Sequence, residues 1–204
     1  MSYLINEIFY TIQGEGYWSG RAAVFCRFSR CNLWTGREAD RASAVCNFCD
    51  TDFNYAERLE LDEVVERVFS AWPTHAVKPM VVFTGGEPLL QLDAPLINKL
   101  KDLGFYTAVE TNGTIVAPKE LDWVCVSPKI LTRLNQAWAH ELKLVYPQLS
   151  PNPRDLEYYP AAVKWLSPMD GPKLAENTQA VIEYVMKDPR WRMNVQTHKM
   201  VGVK

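Results

Sequence analysis

With 204 residues, 48% of them hydrophobic, the chain is long enough for one domain with a full core, spanning residues 1–204, and short for two. A formal net charge of −2 and the lack of any basic cluster argue against the broad electrostatic footprint of a nucleic-acid binder. No apolar run reaches membrane-span length, Glu7 interrupts any signal-like start, and five cysteines make no even disulfide framework, so a reducing cytoplasm is the expected compartment.

Along the chain, strand-like runs alternate with helix-like ones. Residues 5–10 and 22–28 read as strands, and the second empties into a loop of about 29–54 that carries Cys31, Cys46 and Cys49. Leu61, Val64, Val65, Val68, Phe69 and Trp72 then fall on one helical face. A strand at 80–83 precedes a second helix, in which Asp93 is placed as N-cap, Leu96, Ile97, Leu100 and Leu103 form the apolar face, and Gly104 stands just past the end. Further strands are expected at 105–109, 123–126, 141–145 and 162–166, with the proline-rich stretch 146–160 as an irregular connection. A helix over about 173–187, apolar at Val181, Ile182, Val185 and Met186, and a strand at 192–196 complete the pattern. Such alternation predicts an α/β fold with a mainly parallel sheet. A complete eight-fold barrel takes about 250 residues. The expectation is therefore a shortened, open, partial TIM-like barrel of about six parallel strands with few crossover helices.

Polar residues collect where strands end. Phe83 is followed by Thr84-Gly85-Gly86-Glu87-Pro88, Val109 by Glu110-Thr111-Asn112-Gly113, Val126 by Ser127-Pro128-Lys129, and Leu166 by Ser167-Pro168-Met169-Asp170-Gly171. Any one of these is an ordinary turn. All of them at the same ends of successive strands mark a ligand-binding rim, because parallel sheets build their sites at carboxyl ends. The cysteine loop leaves the same rim. Three thiolates with no fourth nearby describe an open metal site, whereas structural zinc prefers four ligands. The fourteen residues between Cys31 and Cys46 are a long gap. Lengthening a three-residue spacing that far costs only about 1.4 kcal/mol of loop-closure entropy, against an order of 10 kcal/mol from metal–thiolate binding. A zinc site completed by His75, His140 or His198 folding back stays open as an alternative. Cys26 and Cys125, inside apolar runs, read as buried small hydrophobes.

In these residues the chain resembles the radical S-adenosylmethionine enzymes and, more closely, the 7-carboxy-7-deazaguanine synthase family of queuosine-type 7-deazapurine biosynthesis. The opening run from Glu7 to Gly16, Phe25-Cys26-Arg27-Phe28, Cys31-Asn32-Leu33-Trp34, Cys49-Asp50-Thr51-Asp52, the strand-end motifs and Gln196-Thr197-His198-Lys199 carry the likeness across nearly the whole chain. The long cysteine gap is a known form within that family.

The resemblance implies a [4Fe-4S] cluster on Cys31, Cys46 and Cys49, with S-adenosyl-L-methionine on its open iron. That cofactor would lie against Phe48, Cys49, Asp50, Gly86, Ser127, Pro128, Lys129 and the run Ser167, Pro168, Met169 and Asp170. Mg²⁺ would take the hydroxyl of Thr51 together with substrate oxygens and waters. A pterin substrate, 6-carboxy-5,6,7,8-tetrahydropterin, would meet Ile12, Gln13, Gly14, Glu15, Arg27, Thr84, His198 and Lys204. Arg27 suits a carboxylate through two parallel hydrogen bonds. The reaction would be a radical ring contraction with loss of ammonia, carried by cluster and cofactor without a catalytic side chain. A one-electron donor such as a flavodoxin or ferredoxin and a homodimer are implied as well.

Two departures stand out. Ser167 replaces a glutamine common in relatives, and Lys204 stands where a close relative has proline. If the 192–196 strand continues, Asn194, Gln196 and His198 share one site-lining face. The competing readings are another small radical enzyme, such as a glycyl-radical activase, and a non-enzymatic zinc-binding domain.

Overall fold

The computed structural model describes residues 1–74, 76–129 and 132–204; His75, one of the three histidines weighed as a metal ligand, lies outside them. Among the described residues, nine strands form one sheet in the order β3-β1-β2-β4-β5-β6-β7-β8-β9. They are β1 (Ser2–Ile12), β2 (Ala22–Phe28), β3 (Glu57–Glu60), β4 (Met80–Gly85), β5 (Tyr106–Thr111), β6 (Trp123–Val126), β7 (Ala139–Tyr146), β8 (Ala161–Pro168) and β9 (Arg192–Met193). Every neighbouring pair from β2 to β9 is parallel, while β1 runs antiparallel to both β2 and β3. The first and last strands of the order do not pair, so the barrel is open as expected. The parallel run holds seven strands where about six were expected, the seventh being the two-residue β9.

Among the described residues, four α-helices accompany the sheet: α1 (Leu61–Ala71), α2 (Ala94–Asp102), α3 (Leu174–Lys187) and the short α4 (Thr197–Val201). Strand parity divides the interior. On one face Val24, Cys26 and Phe28 of β2 and Val81 and Phe83 of β4 pack with Val64 and Val68 of α1 and Leu96, Ile97 and Leu100 of α2 in the main core. Each such side chain contributes about 1.5–3 kcal/mol on full burial. On the opposite face a smaller cluster of Ala23, Met80, Val82 and Ala108 lies near the strands' amino ends, packed with Trp18, Phe25, Tyr106 and Trp123. The residues that follow on this face, toward the carboxyl ends, are polar: Arg27 pairs in register with Thr84, Glu110 with Cys125, and Cys125 with Glu141. The sheet therefore has an aromatic floor with a charged layer above it.

Four differences from the sequence expectation have physical causes. Strand β3 is Glu-Arg-Leu-Glu, too charged and short to show periodicity, and is recruited by pairing Leu59 with Tyr3. The 192–196 strand stops at Met193, and the chain turns into α4, so Gln196 and His198 do not share a strand face. On α3 only Val181 is fully buried; Ile182 and Met186 face solvent. Cys125 is buried as expected, but between Glu110 and Glu141 rather than among hydrophobes.

The N-cap of α2 is where sequence and structure agree most closely. The Asp93 carboxylate accepts from Leu96 N at 3.2 Å and also from the Tyr3 hydroxyl at 2.8 Å, which ties the helix to β1. Replacing Asp93 by alanine is expected to destabilise the fold by about 1–2 kcal/mol, since it removes a cap and leaves the hydroxyl of buried Tyr3 without its acceptor. A lower urea midpoint at unchanged slope checks this.

Candidate functional site

At the carboxyl ends of the strands lies a cavity of about 410 Å³, within the size range of small-molecule sites. Its walls come from the end of β1, the cysteine loop, the ends of β2, β4, β5, β7 and β8, and the segment around α4.

The cysteine loop forms one wall. Cys31, Cys46 and Cys49 all line the cavity. A hydrogen bond from Cys46 pulls the Cys49 thiol down to about 6, and the same bond pushes Cys46 up. Lys129, three residues past the end of β6, favours the thiolate at both, while burial pushes Cys31 up. The loop is held from below by close backbone packing: a Cβ at Gly86 would collide with the Arg30 carbonyl and come within 3.0 Å of Cys31 Cβ. Only glycine permits that approach.

Next to it, Glu87 is completely buried and acts as a clamp. Its Oε1 accepts from Leu89 N (3.0 Å) and Thr111 Oγ1 (2.8 Å), and its Oε2 from Asn112 N (2.8 Å). Burial pushes its carboxyl up against these bonds. Asn112 Nδ2 in turn donates to Asn32 Oδ1 at 2.9 Å, so the β5 turn and the cysteine loop are positioned together.

The opposite wall is polar. Gln13 Nε2 donates to Glu110 Oε1 at 3.2 Å, and Gln13 Oε1 accepts from Glu15 N at 3.2 Å. Arg27 projects into the cavity, away from the core that takes Cys26, but its Nε is committed to Glu7 at 2.9 Å. That ion pair, beneath the Phe9 ring, sets the guanidinium's direction.

The segment after β9 straps across the mouth. Gln196 Nε2 donates to Glu15 Oε1 (2.8 Å) and Asp50 Oδ2 (3.3 Å), and Thr197 donates to the Gly14 carbonyl through both N (2.9 Å) and Oγ1 (2.8 Å). Lys199 bridges Asp50 (2.7 Å) and Asp170 (2.6 Å). Lys204 reaches back to β1, its carbonyl accepting from Thr11 Oγ1 at 2.6 Å and its ammonium pairing with Glu7. These pairs are half exposed, so each stabilises by at most about 1 kcal/mol. Their effect is to place the strap.

Most of the expected site residues meet here. Ile12, Gln13, Gly14, Glu15, Arg27, Phe48, Asp50, Thr51, Thr84, Ser127, Ser167, Pro168, His198 and Lys204 line the cavity with Gly86, Lys129, Asp170 and the three cysteines. Pro128 and Met169 are absent from the lining. Pro128 is buried and accepts from Gln148 Nε2 at 3.4 Å, while the Met169 carbonyl accepts from Asn177 Nδ2 at 2.8 Å. Ser167, in place of the longer amide, accepts from Asn194 Nδ2 at 2.8 Å. His140 stacks on Trp123 and accepts from Val124 N, well away from the cysteine loop. Sequence reading assigned no role to Glu110, Lys143 or Lys199. For Lys143 a signal existed: Glu141, Lys143 and Val145 alternate along one strand, which puts a lysine on an inward face.

An open parallel sheet with a three-cysteine loop and a Gly-Gly-Glu-Pro turn on one rim defines a radical S-adenosylmethionine type of enzyme. No family model matches the chain. A 7-carboxy-7-deazaguanine synthase of Bradyrhizobium diazoefficiens is 51% identical over 213 residues, covering all of both chains, and one of Bordetella pertussis is 46% identical over 212, again full length. The crystal structure of QueE from Escherichia coli superposes with a TM-score of 0.72 at 27% identity, covering 97% of this chain and 95% of that one. The chain belongs to the 7-carboxy-7-deazaguanine synthase family of enzymes.

Its cofactors are a [4Fe-4S] cluster, S-adenosylmethionine and Mg²⁺. The donor set fits the cluster: three cysteines converge on one cavity, with Lys129 beside two of them favouring the thiolate that ligation requires. Among the described residues no helix is long and apolar enough to cross a membrane.

The strap gives a test. A Cβ at Gly14 would overlap the His198 imidazole. Gly14→Ala is expected to leave the melting temperature close to wild type but to lower kcat/KM about a hundredfold by displacing His198 and α4; paired thermal melts and steady-state kinetics check it.

Proposed function

We propose that this enzyme contracts 6-carboxy-5,6,7,8-tetrahydropterin to 7-carboxy-7-deazaguanine with loss of ammonia. The observation that carries the reading is convergence: the cysteine wall and the polar wall of Gln13, Arg27 and Glu15 face one cavity, linked by Gln196 and the strap. Cys31, Cys46 and Cys49 would hold the cluster, which with bound S-adenosylmethionine supplies one-electron cleavage and hydrogen-atom abstraction. Phe48, Gly86, Ser127, Lys129, Ser167 and Asp170 would border that cofactor. The Thr51 hydroxyl would give Mg²⁺ one ligand, with Asp50 held apart from it by Lys199.

On the other wall, Arg27 would meet the substrate carboxylate, its direction set by Glu7. Gln13 and Glu15 offer amide and carboxylate groups to the donor-rich pterin edge, with Ile12, Gly14, Thr84, His198 and Lys204 around it. By straddling Glu15 and Asp50, the strap would exclude water from the reacting region once substrate is in place. The whole chain, residues 1–204, would act as one domain in the cytoplasm, as a homodimer fed by a flavodoxin- or ferredoxin-like electron donor.

Protein reconstituted anaerobically with iron and sulfide is expected to convert the carboxytetrahydropterin when S-adenosylmethionine and a reductant are present. Its reduced electron paramagnetic resonance signal is expected to change on adding S-adenosylmethionine. No conversion by fully cluster-loaded protein would overturn the reading. Cys49→Ala is expected to remain folded but to lose the signal and all turnover, because ligation drops to two thiolates.

A further inference from the structure

Below the cavity, three neighbouring strands bring charge together. Glu110 of β5 sits in register with Cys125 of β6, and Cys125 with Glu141 of β7; their ligand atoms lie within 4.8 Å of one another. Such a trio could attract a metal ion, but a side-chain cation already serves it. Lys143, two residues beyond Glu141 on the same face, places Nζ 2.8 Å from Glu110 Oε2 and 2.5 Å from Glu15 Oε2. Its side chain is only 11% exposed.

The bonding is symmetrical. Glu110 takes Gln13 on Oε1 and Lys143 on Oε2, while Glu15 takes Gln196 on Oε1 and Lys143 on Oε2. Each carboxylate is thereby fixed at both oxygens, and each oxygen keeps a further lone pair for a ligand.

We propose that Lys143 is a positioning residue for the substrate: its ammonium holds Glu15 and Glu110 as a directed pair of anionic acceptors for the adjacent N–H donors of a 2-amino-4-oxo pyrimidine ring. This deepens the proposed function and rests on it. The ring N–H and exocyclic amino group of such a heterocycle lie side by side and match a carboxylate's two oxygens. A protonated carboxyl would instead aim a donor at a donor, which rejects the ring.

The surrounding charges make Lys143 necessary. Burial pushes Glu15 up, and so does Asp50, but the Lys143 charge and hydrogen bond, with Gln196, bring it below its ordinary value. Burial works against the Lys143 charge, but Glu110 and then Glu15 outweigh it and hold the ammonium well above its ordinary range. Glu141 also faces this space, its carboxyl pushed up by burial and then by Glu110 while its oxygens accept from Trp123 Nε1 and Tyr17 N, so its own bonds point away from Lys143. Cys125, fully buried beside these carboxylates, stays a thiol. One ammonium thus bridges two carboxylates and leaves the trio net negative.

The sign of the pH effect follows. Removing the cation raises the proton affinity of Glu15, so the anionic pair is lost as pH falls. The test measures binding of pterin-6-carboxylate, by quenching of its fluorescence, to reconstituted enzyme with S-adenosylmethionine. Wild type should bind with little change between about pH 8 and pH 6. K143Q should approach wild-type affinity at the upper end and weaken about tenfold or more toward the lower, a factor of ten for each pH unit below the raised carboxyl's midpoint. A loss in K143Q that is equal at every pH, or no loss, overturns the proposal. Should K143Q not fold, K143R carries the test: it should keep the flat profile, and a steep one overturns the proposal. Infrared titration separates this claim from the substrate reading. K143Q should gain a protonated-carboxyl band near neutral pH that disappears in E15Q/K143Q, and absence of that band overturns the Lys143 role. Failure of wild type to bind the pterin overturns only the substrate assignment.

Discussion

Strand parity in a sheet whose main run is parallel is the constraint on which the site depends. Because successive residues alternate between faces, a single strand such as β2 can send Val24, Cys26 and Phe28 into the apolar core and Arg27 into the cavity. Because the strands from β2 onward share one direction, every strand that delivers a polar residue delivers it at the same rim. A one-residue slip in β5 or β7 would move Glu110 or Lys143 into the main core, where no partner waits. Burying an unpaired charge costs several kcal/mol, so the register of the sheet and the chemistry of the cavity protect each other.

The layering on the cavity face follows from the same physics. Trp18, Tyr106 and Trp123 fill the amino-terminal end with aromatic area and keep water from entering below. Above them, the Lys143 network tolerates burial only because its opposite charges meet at hydrogen-bond distance. The cysteine wall is anchored differently, through Gly86 beneath Cys31 and through Asn32 to the Glu87 clamp. The strap then joins the two walls with surface-grade ion pairs, weak enough individually to open and numerous enough to define one closed arrangement.

Much of this was legible in order but not in position. The apolar periodicity of α1 and α2, the Asp93 cap, and the run of polar strand ends each have local causes, so they could be read residue by residue. Strand β3 could not, because a four-residue charged segment becomes a strand only when β1 offers it a partner. Nor could the end of β9: the alternation of Asn194, Gln196 and His198 fits a strand, yet Asn194 is taken by Gly16 N and Ser167 Oγ, and Thr197 by Gly14, which turns the chain into α4. Pro128 and Met169 belong to motifs that border the cavity, and their neighbours rather than they themselves reach it.

From the sequence by itself came the fold class, the three thiolates, the rim on which they sit and the family likeness, since composition, periodicity and motif spacing are properties of the chain. Only the tertiary structure decided which charges meet. Glu15, Glu110 and Lys143 are separated by 95 and 33 positions in turn, and nothing local brings them together. Their pairing exists because distant strands are stacked in one register, and an ammonium excluded from water must be met there by carboxylates.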